Sequence, residues 1–588
     1  MNRAKLVIIG LAFGAAGGAA SSQATNAAGG PPVPHHVSPP VQSASGFHRG
    51  HAMRAMLTMS AAAVTSDVPA SIPLSDGLGQ INFPITTANP LAQRYFTQGL
   101  GYAYGFNHAA AIASFREAQR LDPACAMCWW GEAFAHGPNI NAPMDPATNA
   151  RAVGVALYAN WLARGAQPVE RALTAAMVKR YSPDPAADRP ALDAAFADAM
   201  LAAATAHPEH DDLALLAAES AMNTRPWDYW QADKSPNPRI AEAVRLVEAV
   251  MARSPDHPQA AHLYIHLMEN GPDPKHAEAA ADRLNRPLAP AAGHLVHMPA
   301  HIYFRLGRWQ DSIRSNIAAA RADEAWIAAS GDQGLVRYGY YPHNVHFIVT
   351  SAQMAGDLPT AIREARKLSR LLDPETSAKI AWIQAVNAAP FFAAAQFASP
   401  AQVLAMPAPD VRLPYPTAMR FYARALAQAR QRNRAGFERE LAALRALRES
   451  DAFKPMVAQG VPAPQLLELA EAVARARWNY ANGRFAAAAD GYRAAAAVEA
   501  KIPYMEPPFW YYPVHQSLGA ALYRAGKHGE ARDAFAAALA QSPRNGWALY
   551  GLAAAERSLG QGDKAAAAEA ELKSAWLGDP RWLRMDRL

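Results

Sequence analysis

The feature that most constrains the fold is a unit of about 34 residues that recurs near both ends of the chain from Leu91 onward. Ala-rich stretches that predict helices alternate with Gly, Asp-Pro and Asn-Gly steps that predict turns. The clearest units are carried by Tyr95, Gly99, Tyr102, Ala111, Phe115, Ala118 and Pro123, and by Gly519, Leu522, Ala531, Phe535, Ala538 and Pro543. Such units cannot bury their apolar faces alone, so they stack. The pattern predicts an all-α solenoid of helical hairpins.

These spacings resemble the tetratricopeptide repeat, a helix–turn–helix unit whose copies stack into a right-handed superhelix. The resemblance implies a concave groove lined by the first helix of each unit, and a closed or capped middle is one form it could take. Three further units can be aligned to the repeat. One has its turn at Gly307, one starts at Pro342, and one starts at Pro258. The alignment of the last is fixed only by Ala277. The stretches 145–235 and 371–460 are expected to be helical, without an assigned register.

Composition and repeats divide the chain into five predicted segments. Residues 1–24 are predicted to be a signal peptide, because Arg3 and Lys5 precede an apolar run that ends in small residues. Residues 25–88 are rich in Pro, Ser, Gly and Ala and are interpreted as a flexible linker. The remainder divides into an N-terminal repeat-like region at 89–235, a His-rich central region at 236–370 and C-terminal repeats at 371–588. The expected location is periplasmic or secreted, with no membrane-spanning segment in the mature chain.

The charge balance and the motifs exclude several classes of function. The formal net charge of +6 is small for 588 residues, and the basic residues are scattered, which argues against nucleic-acid binding. No phosphate loop, dinucleotide fingerprint or nucleophile elbow is present, so no nucleotide cofactor is expected.

Histidines concentrated in three consecutive units give the sharpest chemical signal. They are His262, His266, His294, His297, His301, His343 and His346. In tetratricopeptide repeats, positions 2, 5, 9 and 12 of the first helix usually line the groove, and the resemblance places all seven at such positions. Pairs three or four residues apart can chelate one ion from one helical turn. The pattern predicts that neighbouring first helices direct imidazoles toward shared metal ions.

One ion cannot bind all seven, since about 10 Å of axial rise separates His294 from His301. Two sites, or a binuclear site, would use them. The alternatives are partly buried histidines bonded to protein groups, or a groove for an anionic peptide. Carboxylates are sparse, with Glu269 the obvious one, which argues against a carboxylate-bridged di-iron site. Imidazole ligands and Met298 favour copper first, then zinc or iron.

Cys125 and Cys128 are the only cysteines, and four interpretations compete. The favoured one is a local disulfide that staples a helix start. The others are a redox-active pair, a soft-metal site with Met127 or Met144, and inert thiols. Covalent haem is not expected, because Trp129 stands where a haem-attachment motif needs histidine.

Four motifs together resemble a family of exported bacterial tetratricopeptide-repeat proteins over about residues 85–580. They are CAMCWWGEAFAHGPNINAPM at 125–144, RPWDYW at 225–230, GHLVHMPAHIYFRLGRW at 293–309 and YPHNVHF at 341–347. The resemblance implies the fold and no particular activity.

Two hypotheses follow for the function. In the first, groove histidines hold a transition metal, and the protein is a metal-dependent oxidoreductase acting on a small or peptidic ligand. Hydrolysis would need a general base, for which Glu269 is the one candidate. In the second, the protein is a periplasmic scaffold whose groove binds a peptide or protein partner.

Overall fold

Helices make up nearly all the regular structure in residues 68–69 and 71–588, the part of the chain that the computed structural model describes. Within that part there is no β-strand, only the isolated bridges Asn139–Ala142 and Trp230–Pro236. The predicted signal peptide and most of the predicted linker lie outside the described residues.

The α-helices are numbered in chain order. They are α1 Pro90–Tyr104, α2 His108–Leu121, α3 Ala126–His136, α4 Asn149–Leu162, α5 Pro168–Val178, α6 Arg189–Ala206, α7 Asp211–Asn223, α8 Pro238–Arg253, α9 Pro258–Glu269, α10 Glu278–Leu284, α11 Gly293–His297, α12 Pro299–Arg305, α13 Trp309–Ser330, α14 Tyr341–Ala355, α15 Leu358–Leu371, α16 Pro374–Lys379, α17 Ala381–Phe397, α18 Pro400–Leu404, α19 Pro414–Arg430, α20 Arg434–Arg448, α21 Lys454–Ala458, α22 Ala463–Ala481, α23 Phe485–Glu499, α24 Val514–Arg524, α25 His528–Gln541, α26 Gly546–Ser558 and α27 Gly562–Ala575. A π-helical turn, Val336–Tyr340, precedes α14.

Consecutive helices pack as pairs, and each pair packs on the next. The closest pairs include α1 with α2, α13 with α14, α19 with α20, α22 with α23, α24 with α25 and α26 with α27. The stretches 145–235 and 371–460, which had no register in the sequence, continue the same array. The expected all-α solenoid is therefore confirmed.

Glycines let the helices approach each other at the predicted repeat positions. A Cβ on Gly99 would lie 2.7 Å from the ring of Phe115, and one on Gly519 would lie 2.7 Å from the ring of Phe535. Both phenylalanines are fully buried. The same ring-against-glycine contact thus holds a hairpin together at each end of the array.

Several hairpins share a three-residue turn whose middle residue has a left-handed backbone. Glycine takes this position at Gly307, Gly483, Gly526 and Gly560, with φ between 70° and 77°. Phe106 takes the same position in the turn between α1 and α2, and Arg432 takes it in the turn between α19 and α20. Each of the two residues has a φ of 55°. In these turns the residue after the middle one donates its N–H to a carbonyl five residues back, as Asn107 does to Tyr102.

The interpretation of 25–88 as a flexible linker needs a correction at its C-terminal end. Residues 71–88 form no helix, yet Ile72, Leu78 and Phe83 are buried in the core of the N-terminal helices. The N–H of Thr86 donates to Glu170 Oε1 at 2.6 Å. Composition predicts backbone freedom, but these apolar side chains give the segment a surface to pack on.

The C-terminal repeats fold back onto the central ones. Trp309 Nε1 donates to the carbonyl of Arg544 at 3.0 Å, and Trp547 Nε1 donates to the carbonyl of Gln353 at 3.0 Å. The N–H of Leu577 bonds the carbonyl of Ala355. The array therefore closes on itself around its His-rich middle.

The described residues contain no helix that is both long enough and apolar enough to cross a bilayer.

Candidate metal centre

Six of the seven predicted histidines lie in two neighbouring groups. The first histidine group is His262, His266 and His294, and the second histidine group is His297, His301 and His343. Within each group, the three ring nitrogens that could bind a metal lie within 4.8 Å of one another. Each group joins a pair one turn apart in the chain to a third imidazole from another helix.

The local fold explains how one short motif serves both groups. The sequence predicts a single helix through GHLVHMPAHIY, but the structure has two, α11 and α12, because Pro299 has no N–H to donate. Met298 between them keeps helical angles, φ −50° and ψ −38°. The three histidines therefore stay on one side, with His294 in the first group and His297 and His301 in the second.

The histidines are more enclosed than an open groove would leave them. Five of the six are at most 5% exposed, and His343 is half-buried. The ring of Phe106, in the α1–α2 turn, lies 4.7 Å from that of His262. On another side, the segment between α23 and α24 brings Tyr504 and Glu506 beside His301. Contacts from distant parts of the chain thus convert a groove into an interior site.

Side-chain amides fix the protonation of two imidazoles. His262 Nδ1 lies 2.8 Å from Gln259 Oε1, whose amide nitrogen donates to Glu219. His297 Nδ1 lies 2.6 Å from Asn316 Oδ1, whose amide nitrogen donates to the carbonyl of Ser312. Since each amide nitrogen is engaged elsewhere, each amide oxygen must accept. Nδ1 therefore carries the proton in both histidines, and Nε2 carries a lone pair.

Glu269 plays the same part for two further imidazoles, one in each group. Its Oε1 lies 2.7 Å from His266 Nδ1, and its Oε2 lies 2.5 Å from His301 Nδ1. The carboxylate is fully buried, and both of its oxygens face imidazoles. It is placed to orient two histidines, and its role as a general base stays a prediction.

Several Nε2 atoms lie close to one another within each group. They are 2.8 Å apart between His297 and His301, and 3.2 Å apart both between His297 and His343 and between His262 and His294. His266 Nε2 is buried without a hydrogen-bond partner. Two nitrogens about 2.0–2.1 Å from one ion, at the tetrahedral angle, lie about 3.3 Å apart. The observed pairs are close to that separation.

Burial keeps most of these imidazoles neutral. It is the main reason why the pKa values of His266, His294, His297 and His343 are well below the usual value, and neighbouring histidines lower them further. The pKa of His262 falls to about 3 for the same reasons. His301 differs: burial lowers its pKa, but the charge and hydrogen bond of Glu269 outweigh burial and raise it. Neutral imidazoles are the form that binds metal.

His346 lies outside both groups. Its Nε2 is 2.7 Å from the hydroxyl of Tyr511. Cys125 and Cys128 are also outside, and they are joined by a disulfide at the start of α3, as the favoured interpretation expects. The N–H of Cys128 donates to Cys125 Sγ, so the pair also caps this helix.

Several residues around the site were missed by sequence reasoning. Gln259 stands three residues before His262, as Glu269 stands three after His266, and that spacing was a usable signal. Glu506 gave no local signal: it is 4% exposed, and burial raises its pKa to about 7. Asp323 lies beside the site too, since a Cβ on Gly293 would collide with Asp323 Oδ1. A larger residue before His294 would therefore displace the Asp323 carboxylate.

Comparison with known proteins supports the repeat assignment. Residues 522–585 match a family model described as tetratricopeptide repeat. The chain is an α-solenoid that carries a tetratricopeptide repeat in its C-terminal part. No curated protein sequence matches the chain.

Solved structures give distant matches. Human IFIT1 in a dimer with PPP-AAAA is 11% identical, with 82% of this chain and 90% of that chain covered and a TM-score of 0.27. Yeast Tom70 is 13% identical, with 84% and 94% covered and a TM-score of 0.27. The APC/C hetero-tetramer Cut9-Hcn1 is 11% identical, with 84% and 96% covered and a TM-score of 0.26.

Proposed function

We propose that this tetratricopeptide-repeat protein binds transition-metal ions through its two histidine groups, one ion to each. The observation that carries the proposal is the 2.8 Å separation of His297 Nε2 from His301 Nε2. Asn316 and Glu269 already engage the Nδ1 atoms of these two imidazoles. Two lone pairs at that distance repel each other unless a cation lies between them.

A proton is the rival cation. An imidazolium at His301, balanced by Glu269, would donate to His297 and need no metal. Such a proton accounts for one contact in the second group. It leaves His266 Nε2 of the first group buried and without a partner, which costs free energy for any polar atom. A metal ion in each group accounts for both observations.

Copper is the preferred ion, followed by zinc and iron, because the donors are imidazoles and imidazole suits these metals. When bound, the ion would supply redox or Lewis-acid chemistry. Gln259, Glu269 and Asn316 orient the ligands from behind, as groups that bond metal-binding histidines generally do. We propose a metal-dependent oxidoreductase as the catalytic form of this function, in an exported protein of the periplasm or cell exterior. The resemblance of the four motifs to exported repeat proteins supports that location.

Elemental analysis tests the proposal. The protein is exported to a periplasm, purified without chelator and compared with the double variants His262→Ala/His266→Ala and His297→Ala/His301→Ala. His346→Gln is the matched control, since His346 is buried and bonded to Tyr511. We expect about two ions per chain in the wild type and the control, and about one in each double variant.

The absence of copper, zinc and iron from the wild type, also after titration with each metal, would overturn the proposal. Loss of an ion in His346→Gln would instead make His346 a ligand and show that the second group is assigned incorrectly.

A peptide- or protein-binding scaffold is the second candidate, and one contact favours it. Residues 583–588 lie against the C-terminal helices and include a turn at 585–587. Tyr480 Oη donates to the carbonyl of Met585 at 2.7 Å, and Arg477 Nη1 donates to the carbonyl of Leu588 at 2.9 Å. Side chains of the array thus already bind a non-helical segment of chain through its main-chain carbonyls. Metal content separates this candidate from the first.

A further inference from the structure

Phe106 occupies a position that glycine takes in most of the equivalent turns. Its φ of 55° is a left-handed conformation, which a Cβ disfavours. Gly307, Gly483 and Gly526 adopt the same conformation without that penalty. A bulky residue retained where glycine fits better points to a role for its side chain.

One face of the Phe106 ring covers the first histidine group. Its centroid lies 4.7 Å from that of His262, 5.0 Å from that of His294 and 6.1 Å from that of His266. The residue is 2% exposed. The ring is therefore a wall of this group, in contact with all three imidazoles.

Phe106 also lines a cavity of about 160 Å³, which includes Ile112, Asn139 and Asp145 in its walls. A smaller cavity of about 20 Å³ includes His294 itself. Asn107 and Val336 line both cavities. Phe106 and these two residues thus lie between the larger cavity and the histidines.

The size and the walls of the larger cavity define a class of ligand. The cavity is open to solvent on one side, and its volume is close to the roughly 150 Å³ that holds benzene in an enclosed apolar cavity. Ile112 and Val336 supply apolar surface, while Asp145 supplies carboxylate oxygens that can accept a hydrogen bond. His108, also in the wall, is neutral because burial lowers its pKa to about 3. The cavity suits an uncharged ring of benzene size that carries a hydroxyl group.

We infer that this cavity admits a small neutral ring compound with a hydroxyl group to the first histidine group, and that Phe106 controls its approach. The effect of Phe106 on the metal ion rests on the proposed function. Binding of the ring compound rests on the cavity alone, so metal binding and ligand binding can fail separately.

Phe106→Gly tests the inference, because it restores the residue that the other turns use. Arg432→Gly is the matched control, since Arg432 has the same φ in the turn between α19 and α20. Both variants are made in the His297→Ala/His301→Ala background, which retains the first group alone. Phenol is the probe for the cavity, and the rate at which EDTA removes copper is the probe for access.

We expect phenol to bind the wild-type protein, with or without metal, and to slow copper removal. Copper removal should be at least about tenfold faster in Phe106→Gly and unchanged in Arg432→Gly. Val336→Phe, which narrows the space between the larger cavity and the histidines, should weaken phenol binding and slow copper removal. This variant replaces Phe106→Gly in the test if Phe106→Gly does not fold.

No phenol binding up to its solubility limit would overturn the ligand assignment. Equal removal rates in Phe106→Gly and Arg432→Gly, or an unchanged rate in Val336→Phe, would overturn the role of Phe106. If the wild type binds no metal, the proposed function fails, and the phenol titration still decides the fate of the cavity.

Discussion

Glu269 connects the two histidine groups, and replacing it by glutamine gives a quantitative test of the metal proposal. The wild-type carboxylate presents one oxygen to His266 Nδ1 and the other to His301 Nδ1. Glutamine has nearly the same shape but only one oxygen. Its NH₂ must then face the Nδ1–H of one imidazole. That imidazole must rotate or move its proton from Nδ1 to Nε2. In either case its Nε2 can no longer bind metal.

The size of the effect follows from linkage. An ion present at about 100 times its dissociation constant stabilises the folded state by about 2.7 kcal/mol. Loss of the group that orients a ligand weakens metal affinity by about 10- to 100-fold. At the same ion concentration, the stabilisation then drops to about 1.4 or 0.4 kcal/mol. We therefore expect Glu269→Gln to remove about 1.3 to 2.3 kcal/mol of metal-dependent stability from each affected site.

Urea unfolding with and without saturating copper or zinc measures this quantity, and titration calorimetry gives the affinity directly. Because metal-free stability is measured in the same series, any general damage from the substitution is subtracted. Glu499→Gln is the matched control: Glu499 is also buried, but its partner is the N–H of Val514. An equal metal-dependent gain in Glu269→Gln and in the wild type would refute the assignment of Glu269 as the group that orients these ligands.

Two further predictions concern stability. Burial raises the pKa of Glu499 to about 8, above its unfolded value of 4.5, so wild-type stability should fall as pH rises from about 4.5 to 8, by up to about 5 kcal/mol. Glu499→Gln should reduce the fall in stability between pH 5 and pH 8 in urea unfolding, while Glu506, whose pKa burial also raises, continues to contribute. An unchanged fall would contradict the pKa assignment of Glu499. Gly293→Ala should cost about 1–3 kcal/mol and weaken binding by the first histidine group, because its Cβ would collide with the buried Asp323 carboxylate. Thermal unfolding and calorimetry of that variant check both effects, and a melting temperature equal to that of the wild type would show that the contact is relieved without cost.

Local spacing predicted what depends on neighbours in sequence. The hairpins around Phe115 and Phe535 follow from small and large residues at fixed intervals. The pairs His262–His266 and His297–His301 follow from helical periodicity in the same way. Division of the site into two groups was also accessible, since axial rise separates His294 from His301.

Contacts between distant segments were not accessible from the sequence. Asn316 reaches His297 from the partner helix of its hairpin, and its residue type occurs commonly in helices without such a role. Glu506 belongs to an irregular segment that matches no repeat position. Phe83 shows the opposite error, because a composition typical of linkers hid a buried aromatic side chain. In each case contacts between distant segments determine where the side chain lies, and such contacts produce no periodic pattern in the sequence.

Because the C-terminal repeats pack on the central ones, the histidine groups are enclosed only after the C-terminal repeats have folded. Repeat proteins usually fold from neighbour to neighbour, but here Trp309 contacts Arg544 and Gln353 contacts Trp547 across most of the C-terminal half. A chain made from its N-terminus presents all six clustered histidines before Tyr504 and Glu506 exist to cover them. If the histidine groups bind metal as proposed, an ion can reach them during that interval without passing the C-terminal repeats. The ion that they bind is then decided by the surroundings in which the last repeats fold.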